Sequence, residues 1–161
     1  LNTAYRSLVK KNLEMDEANV NLKKLEAKKL EKKKAKKNNG ISIRDEEKIY
    51  QKLKTMLEDE KIFRKDDLSE SILAELLGTN ISYLSSIINN RFQVSFKTLL
   101  NKFRINEARR LLVSKEYTNF SIEGIASEVG YHSRSAFYHM FKQNTGMTPS
   151  AYVKTYKEID I

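Results

Sequence analysis

Residues 67–88 read DLSESILAELLGTNISYLSSII and residues 119–141 read NFSIEGIASEVGYHSRSAFYHMF. The two stretches align once one residue is inserted after the glycine. Ser69 falls on Ser121, Leu73 on Ile125, Ala74 on Ala126 and Gly78 on Gly130; beyond the insertion Leu84 falls on Phe137 and Ile88 on Phe141. Ser69 or Ser121 can cap a helix by accepting backbone N–H bonds, and about two turns follow. The small Ala74 or Ala126 leaves room for a second helix, Gly78 or Gly130 permits the backbone that ends the first helix in a tight turn, and Asn80 or Ser133 caps the next. Each copy is therefore predicted as helix, short turn, helix, in helix-turn-helix proportions.

Between the copies, SFKTLLNKFRINEARRLLVS from Ser95 carries Phe96, Leu99, Leu100, Phe103, Ala108, Leu111 and Leu112 at helical spacing, which predicts a long connecting helix. After the second copy Gly146 can close a helix, Thr148 can cap another and Pro149 fits its first turn. Tyr152, Val153 and Tyr156 would dock that last helix. Upstream, Ile49, Leu53, Met56 and Leu57 share one face of a helix ending near Asp59. Residues 2–37 predict one long helix in which Leu13, Val20 and Ala27 fall seven apart; a short coiled coil and a solvated lead-in both fit it. Asn38, Asn39 and Gly40 then mark a linker. Strand patterns are weak throughout, so the chain is predicted all-α. The divisions are 1–40 (charged helix, coiled coil or membrane-proximal linker), 41–66 (lead-in helix), 67–94 (first unit), 95–115 (linker helix) and 116–161 (second unit).

Composition narrows the function. The 161 residues carry a net charge of +9. Residues 1–40 hold twelve Lys and Arg against five Asp and Glu, and such an excess points to a polyanion such as nucleic acid or anionic lipid. There is no cysteine, which suits a reducing cytoplasmic setting, and only two histidines, too few for most metal sites. His132 and His139 are seven apart, with no carboxylate between them to complete a ligand set. Neither a P-loop, a dinucleotide fingerprint, a nucleophile elbow nor HExxH occurs, so neither enzyme activity nor a cofactor is expected. No apolar run approaches the roughly 18 residues of a membrane span. The chain begins at Leu1 rather than Met, which raises the expectation of an upstream sensor or membrane segment.

The stretch IEGIASEVGYHSRSAFYHMFKQNTGMTPSAY, with its Gly-aromatic turn, Phe-x-x-x-Phe-Lys register and terminal Gly-x-Thr-Pro, resembles the signature of the AraC/XylS-type transcription regulators. FRINEARRLL and the first copy match as well, so the resemblance covers about residues 65–156. It implies two homeodomain-like helix-turn-helix subdomains, joined by a long linker helix and preceded here by a long basic helix. Each would place a recognition helix in the major groove of double-stranded DNA. The first copy departs in its tail, where NNRFQVSF replaces the usual Phe-Lys and glycine. The upstream charge fits the form of this family in which a sensor, a membrane span and a charged helix come first.

Projected on a helix after Ser133, Ala136, Phe137, Met140 and Phe141 form an apolar face, while Arg134, Tyr138 and Lys142 lie on the other, flanked by Ser135 and His139. Arginine can donate two parallel bonds to guanine O6 and N7; Ser, Tyr and His can bond bases or phosphates, and Lys neutralises phosphate. Arg134 is thus the expected base reader, Lys142 a phosphate contact, and Ser133, Ser135, Tyr138 and His139 lesser contacts. In the first unit Leu84, Ile87 and Ile88 point inward, leaving Asn80, Ser82, Tyr83, Ser85, Ser86 and Asn89 outside. Those small polar groups predict weaker discrimination there. RNA polymerase and a second copy, paired through the N-terminal helix, are further expected partners. A membrane-proximal or oligomerising module with only non-specific DNA binding is the competing reading.

Overall fold

The computed structural model describes residues 2–34 and 41–159, and among them every regular element is helical. Eight α-helices follow in order: α1 (Asn2–Lys34), α2 (Ile41–Glu58), α3 (Glu70–Leu76), α4 (Ile81–Phe92), α5 (Phe96–Leu112), α6 (Ile122–Glu128), α7 (Arg134–Thr145) and α8 (Pro149–Ile159). Single 3₁₀ turns lie at Ile62–Arg64 and Lys115–Tyr117. The predicted end of the first helix near 37 and the Asn38–Gly40 linker fall outside the described residues.

The repeat is reproduced cap by cap. Ser69 accepts from the Ile72 amide and Ser121 from the Gly124 amide, starting α3 and α6. Asn80 and Ser133 do the same for α4 and α7, accepting from Tyr83 and Ala136. Each such cap satisfies one of the N–H groups that a helix start leaves orphaned. Gly78 and Gly130 occupy the matching turns at φ +69° and +101°, a region costly for a residue with a Cβ. Thr148 accepts from the Ala151 amide at 3.2 Å, so α8 begins as its sequence predicts.

Two hydrophobic cores result, and one helix feeds both. Leu99 and Leu100 of α5 join Leu53, Met56, Leu57, Phe63, Leu73, Leu84 and Ile88 in the first unit. Ile105, Ala108 and Leu111, one to three turns further on, join Ile125, Val129, Phe137, Phe141 and Tyr152 in the second. Because a sharp kink in α5 would break its own hydrogen bonds, sharing it couples the orientations of the two units.

α1 is only partly the lead-in that its composition predicts. Val9 is fully buried in the second core, with Tyr5 and Leu8 packed beside it. Asn12 Nδ2 donates to the Thr145 carbonyl at 2.9 Å, Asp16 pairs with Arg109 at 2.8 Å, and Arg6 pairs with Glu158 at 3.5 Å. Further along, Lys23 meets Glu58 at 3.9 Å and lies over the Phe103 ring, so α1 touches both units. Positions 5, 8, 9, 12, 16 and 23 form one helical stripe; Met15 and Leu22, exposed, flank its edge one and two heptads beyond Leu8, and Leu25 lies on the opposite, exposed side. Val9→Ala should therefore cost about 1–2 kcal/mol. Leu25→Ala should change stability by less than about 0.5 kcal/mol, and denaturant midpoints of both variants check the contrast.

Candidate nucleic-acid interface

The second unit exposes a cationic face. Phe137 and Phe141 are fully buried on the inner side of α7, their rings 5.6 Å apart, with Phe137 also 5.4 Å from Tyr131 and Phe141 5.5 Å from Tyr152. Locked this way, α7 presents Arg134, Ser135, His139 and Lys142 outward, all exposed. Ser133 is exposed too, but its oxygen already serves as the helix cap. Tyr138 is half-buried, edge-on to Phe137 and beneath the Arg134 guanidinium, 5.0 Å from Cζ to the ring centre. Arg134 Nε stands 3.0 Å from a carboxylate oxygen of Glu123. Ala136, expected on the inner face, is instead exposed. The buried strip of α7 follows Phe137 and Phe141, and Ala136 falls about 100° round the helix from Phe137, at the edge of that strip.

The first unit offers a quieter face. Leu84, Ile87 and Ile88 of α4 are buried as predicted, and Ser82, Ser86, Asn89 and the capping Asn80 are exposed. Tyr83 is half-buried, and Ser85 turns toward α3, where its hydroxyl bonds Glu70. The altered tail has a structural outcome. Gln93 takes the left-handed conformation at φ 59° that glycine takes after α7, where Gly146 stands at φ 82°. Arg91, the cation of α4, is drawn back to α2, pairing with Glu46 at 3.1 Å and Glu47 at 3.0 Å and stacking 4.6 Å over Tyr50. The outward face of α4 is left without a cation of its own.

Between the units lies a polar frame that sequence patterns did not indicate. Glu107 of α5 is buried and receives Lys61 Nζ at 2.8 Å, Arg110 Nε at 3.0 Å, Arg110 Nη2 at 2.9 Å and Arg64 Nη2. Arg64 also reaches Glu128 of α6 at 3.2 Å, so this carboxylate links the entry to the first unit with the second. Burial alone would raise the Glu107 pKa; hydrogen bonds from Arg110, Lys61 and Arg64 outweigh it and hold the carboxyl well below the usual range. Arg104, one turn earlier, donates from Nε to the Phe63 carbonyl and from Nη2 to the Lys65 carbonyl, both at 2.8 Å, and lies over the Tyr131 ring. Burial lowers its pKa from the ordinary arginine value. The Tyr131 hydroxyl donates to Asn101 at 2.7 Å, and burial pushes its pKa up to about 12. Among the described residues no three His, Cys, Asp or Glu side chains gather as a metal site, and no single helix is long and apolar enough to cross a membrane.

A family model described as "Helix-turn-helix domain" matches residues 73–155. An uncharacterized HTH-type transcriptional regulator of Staphylococcus aureus is 37% identical over 87 residues, covering 54% of this chain and 11% of that protein. The melibiose operon regulatory protein of Escherichia coli K12 is 35% identical over 82 residues, which are 51% of this chain and 26% of that protein. The chain thus spans only a small part of the length of these relatives. Among solved structures, the C-terminal domain of AraT, a response regulator from Geobacillus stearothermophilus, superposes with a TM-score of 0.55 at 32% identity, covering 73% of this chain and 86% of that one.

Proposed function

This chain belongs to the AraC-type helix-turn-helix family of transcription regulators, and from that premise we propose that it binds double-stranded DNA sequence-specifically, laying α4 and α7 in successive major grooves. The observation that supports this reading most is the split between the two faces of α7: aromatic side chains locked inward, with Arg134, Ser135, His139 and Lys142 exposed outward. Arg134, at the first turn of α7, reads a base edge; Lys142, two turns on, meets phosphate. α4, whose Arg91 is tied to α2, supplies Ser82, Ser86 and Asn89 for phosphates, thymine methyls and water. The shared helix α5 and the Glu107 frame hold both helices in one relative orientation, suited to grooves about 34 Å apart.

The second unit then discriminates more strongly than the first. Arg134→Ala should cost roughly 1–3 kcal/mol at one base pair, whereas Ser86→Ala should lower affinity with little change in preference. Binding of both variants to a library of single-base-substituted sites checks this, and equal loss of discrimination by the two would contradict it. The exposed lysines and arginines also predict that affinity falls steeply as salt rises. A cytoplasmic location follows from DNA as the ligand. RNA polymerase, a second copy along the free side of α1 and an upstream sensor are partners that this reading accommodates without requiring.

A further inference from the structure

The pairing of Arg134 with Glu123 contributes little to the stability of the fold beyond the favourable placement of an acidic residue in the first turn of α6. Both side chains are largely exposed, at 68% and 47%, and exposed ion pairs of this kind contribute little to folding. The carboxylate also stands beside the helix proposed to approach a polyanion, where it repels phosphate. A residue that lowers attraction for DNA at the point of closest approach invites a different explanation, and the geometry supplies one. Glu123 is in the first turn of α6 and Arg134 is the first residue of α7, each on a helix whose start is fixed by a serine cap. The carboxylate lies 3.0 Å from Nε, and the guanidinium plane is supported from below by Tyr138.

We propose that Glu123 is a specificity-determining positioning residue: by engaging Nε it holds Arg134 so that the two terminal nitrogens face the base pair. The inference rests on the reading of Arg134 as the base contact. A guanidinium can grip guanine O6 and N7 through its Nε–Nη edge or through its two terminal nitrogens, and a carboxylate on Nε removes the first option. Two consequences follow. An arginine already held loses less side-chain freedom on meeting its base, so the correct base pair gains. An arginine whose charge is shared with a carboxylate is a poorer partner for phosphate, so non-specific binding is penalised. Glu123 thereby trades general affinity for discrimination.

The test uses the full chain and its Glu123→Ala, Glu123→Gln, Arg134→Ala and Glu123→Ala/Arg134→Ala variants. Each is titrated at fixed salt against a selected duplex, against that duplex changed at the base pair most sensitive to Arg134→Ala, and against random-sequence duplex. Glu123→Ala should lower discrimination at that pair about 3- to 10-fold while raising affinity for random duplex about 2- to 3-fold. Glu123→Gln, which keeps an acceptor for Nε without the charge, should fall between wild type and Glu123→Ala in discrimination. The double variant should discriminate no worse than Arg134→Ala alone. Opposite shifts in specific and random binding are what a merely structural role would not produce; a parallel loss of both overturns the inference. Intact discrimination in Glu123→Ala beside its loss in Arg134→Ala overturns the positioning role alone. Absence of any base-pair effect from Arg134→Ala overturns the base-reading assignment, and this inference with it.

Discussion

Replacement of Glu107 by alanine is expected to destabilise the protein by about 3 kcal/mol, one of the two largest single-residue losses predicted. Three cations converge on this carboxylate, Lys61 and Arg64 from the turn before the first unit and Arg110 from α5 itself, and removing it leaves them facing one another across a buried site. The loss falls at the lower end of the range for broken buried pairs because Lys61, Arg64 and Arg110 keep 36%, 27% and 53% of their side-chain surface and can turn to water. The same site predicts a pH dependence. The folded pKa lies below the ordinary 4.5, so the stabilisation is fully present above about pH 4.5 and is lost as pH falls below it. Denaturant midpoints at pH 7 and pH 3 should therefore show a wild-type advantage over Glu107→Ala that shrinks in acid. A constant gap would mean that the charge contributes nothing and only the packing of the side chain matters.

Gly130→Ala should cost roughly 2–4 kcal/mol, and Gly78→Ala, its counterpart in the first unit, only about 1 kcal/mol. Both positions have positive φ, so both variants strain the backbone. They differ in what surrounds them. A Cβ at 78 meets nothing within 4 Å, but at 130 it would stand 2.8 Å from the Phe63 carbonyl oxygen and 2.9 Å from Arg104 Nε. That carbonyl and that guanidinium are bonded to each other, so the new methyl group pries apart the contact between the units as well as straining the turn. Thermal melts of the two variants separate these contributions: the shared part is backbone strain, the excess at 130 is the crowded junction. Equal destabilisation would show that the junction yields at no cost.

The contrast between these two glycines also shows how far the sequence could be read. Capping and turn chemistry are local, so Ser69, Asn80, Ser121, Ser133 and the glycines between them announced the helices that they start and stop. Inward faces were legible where large aromatic or branched residues recur at helical spacing, as at Phe137 and Phe141. Ala136 was misjudged because a methyl group carries little information about which side of a helix is buried. What lay beyond reach was the polar contact between distant segments. Glu107 and Lys61 are 46 positions apart and Arg104 and Phe63 are 41, and no periodicity marks one charged residue as another's partner. α1 was hidden for a related reason. Its docked stripe mixes Tyr5, Leu8 and Val9 with Asn12 and Asp16, so the side that binds the second unit does not stand out as apolar. Glu123 could not be assigned to Arg134 before the turn between α6 and α7 had a shape.

One chain is proposed to read a composite site through two unequal recognition helices held a groove apart. Selection from random-sequence duplex DNA with this chain, at low and at moderate salt, tests it most directly. Enrichment of a non-palindromic site is expected, with two half-sites about 10 base pairs apart, the half lost in Arg134→Ala carrying more information, and overall affinity falling with salt. Recovery of no motif at either salt, or of a single half-site unaffected by Arg134→Ala, would contradict it.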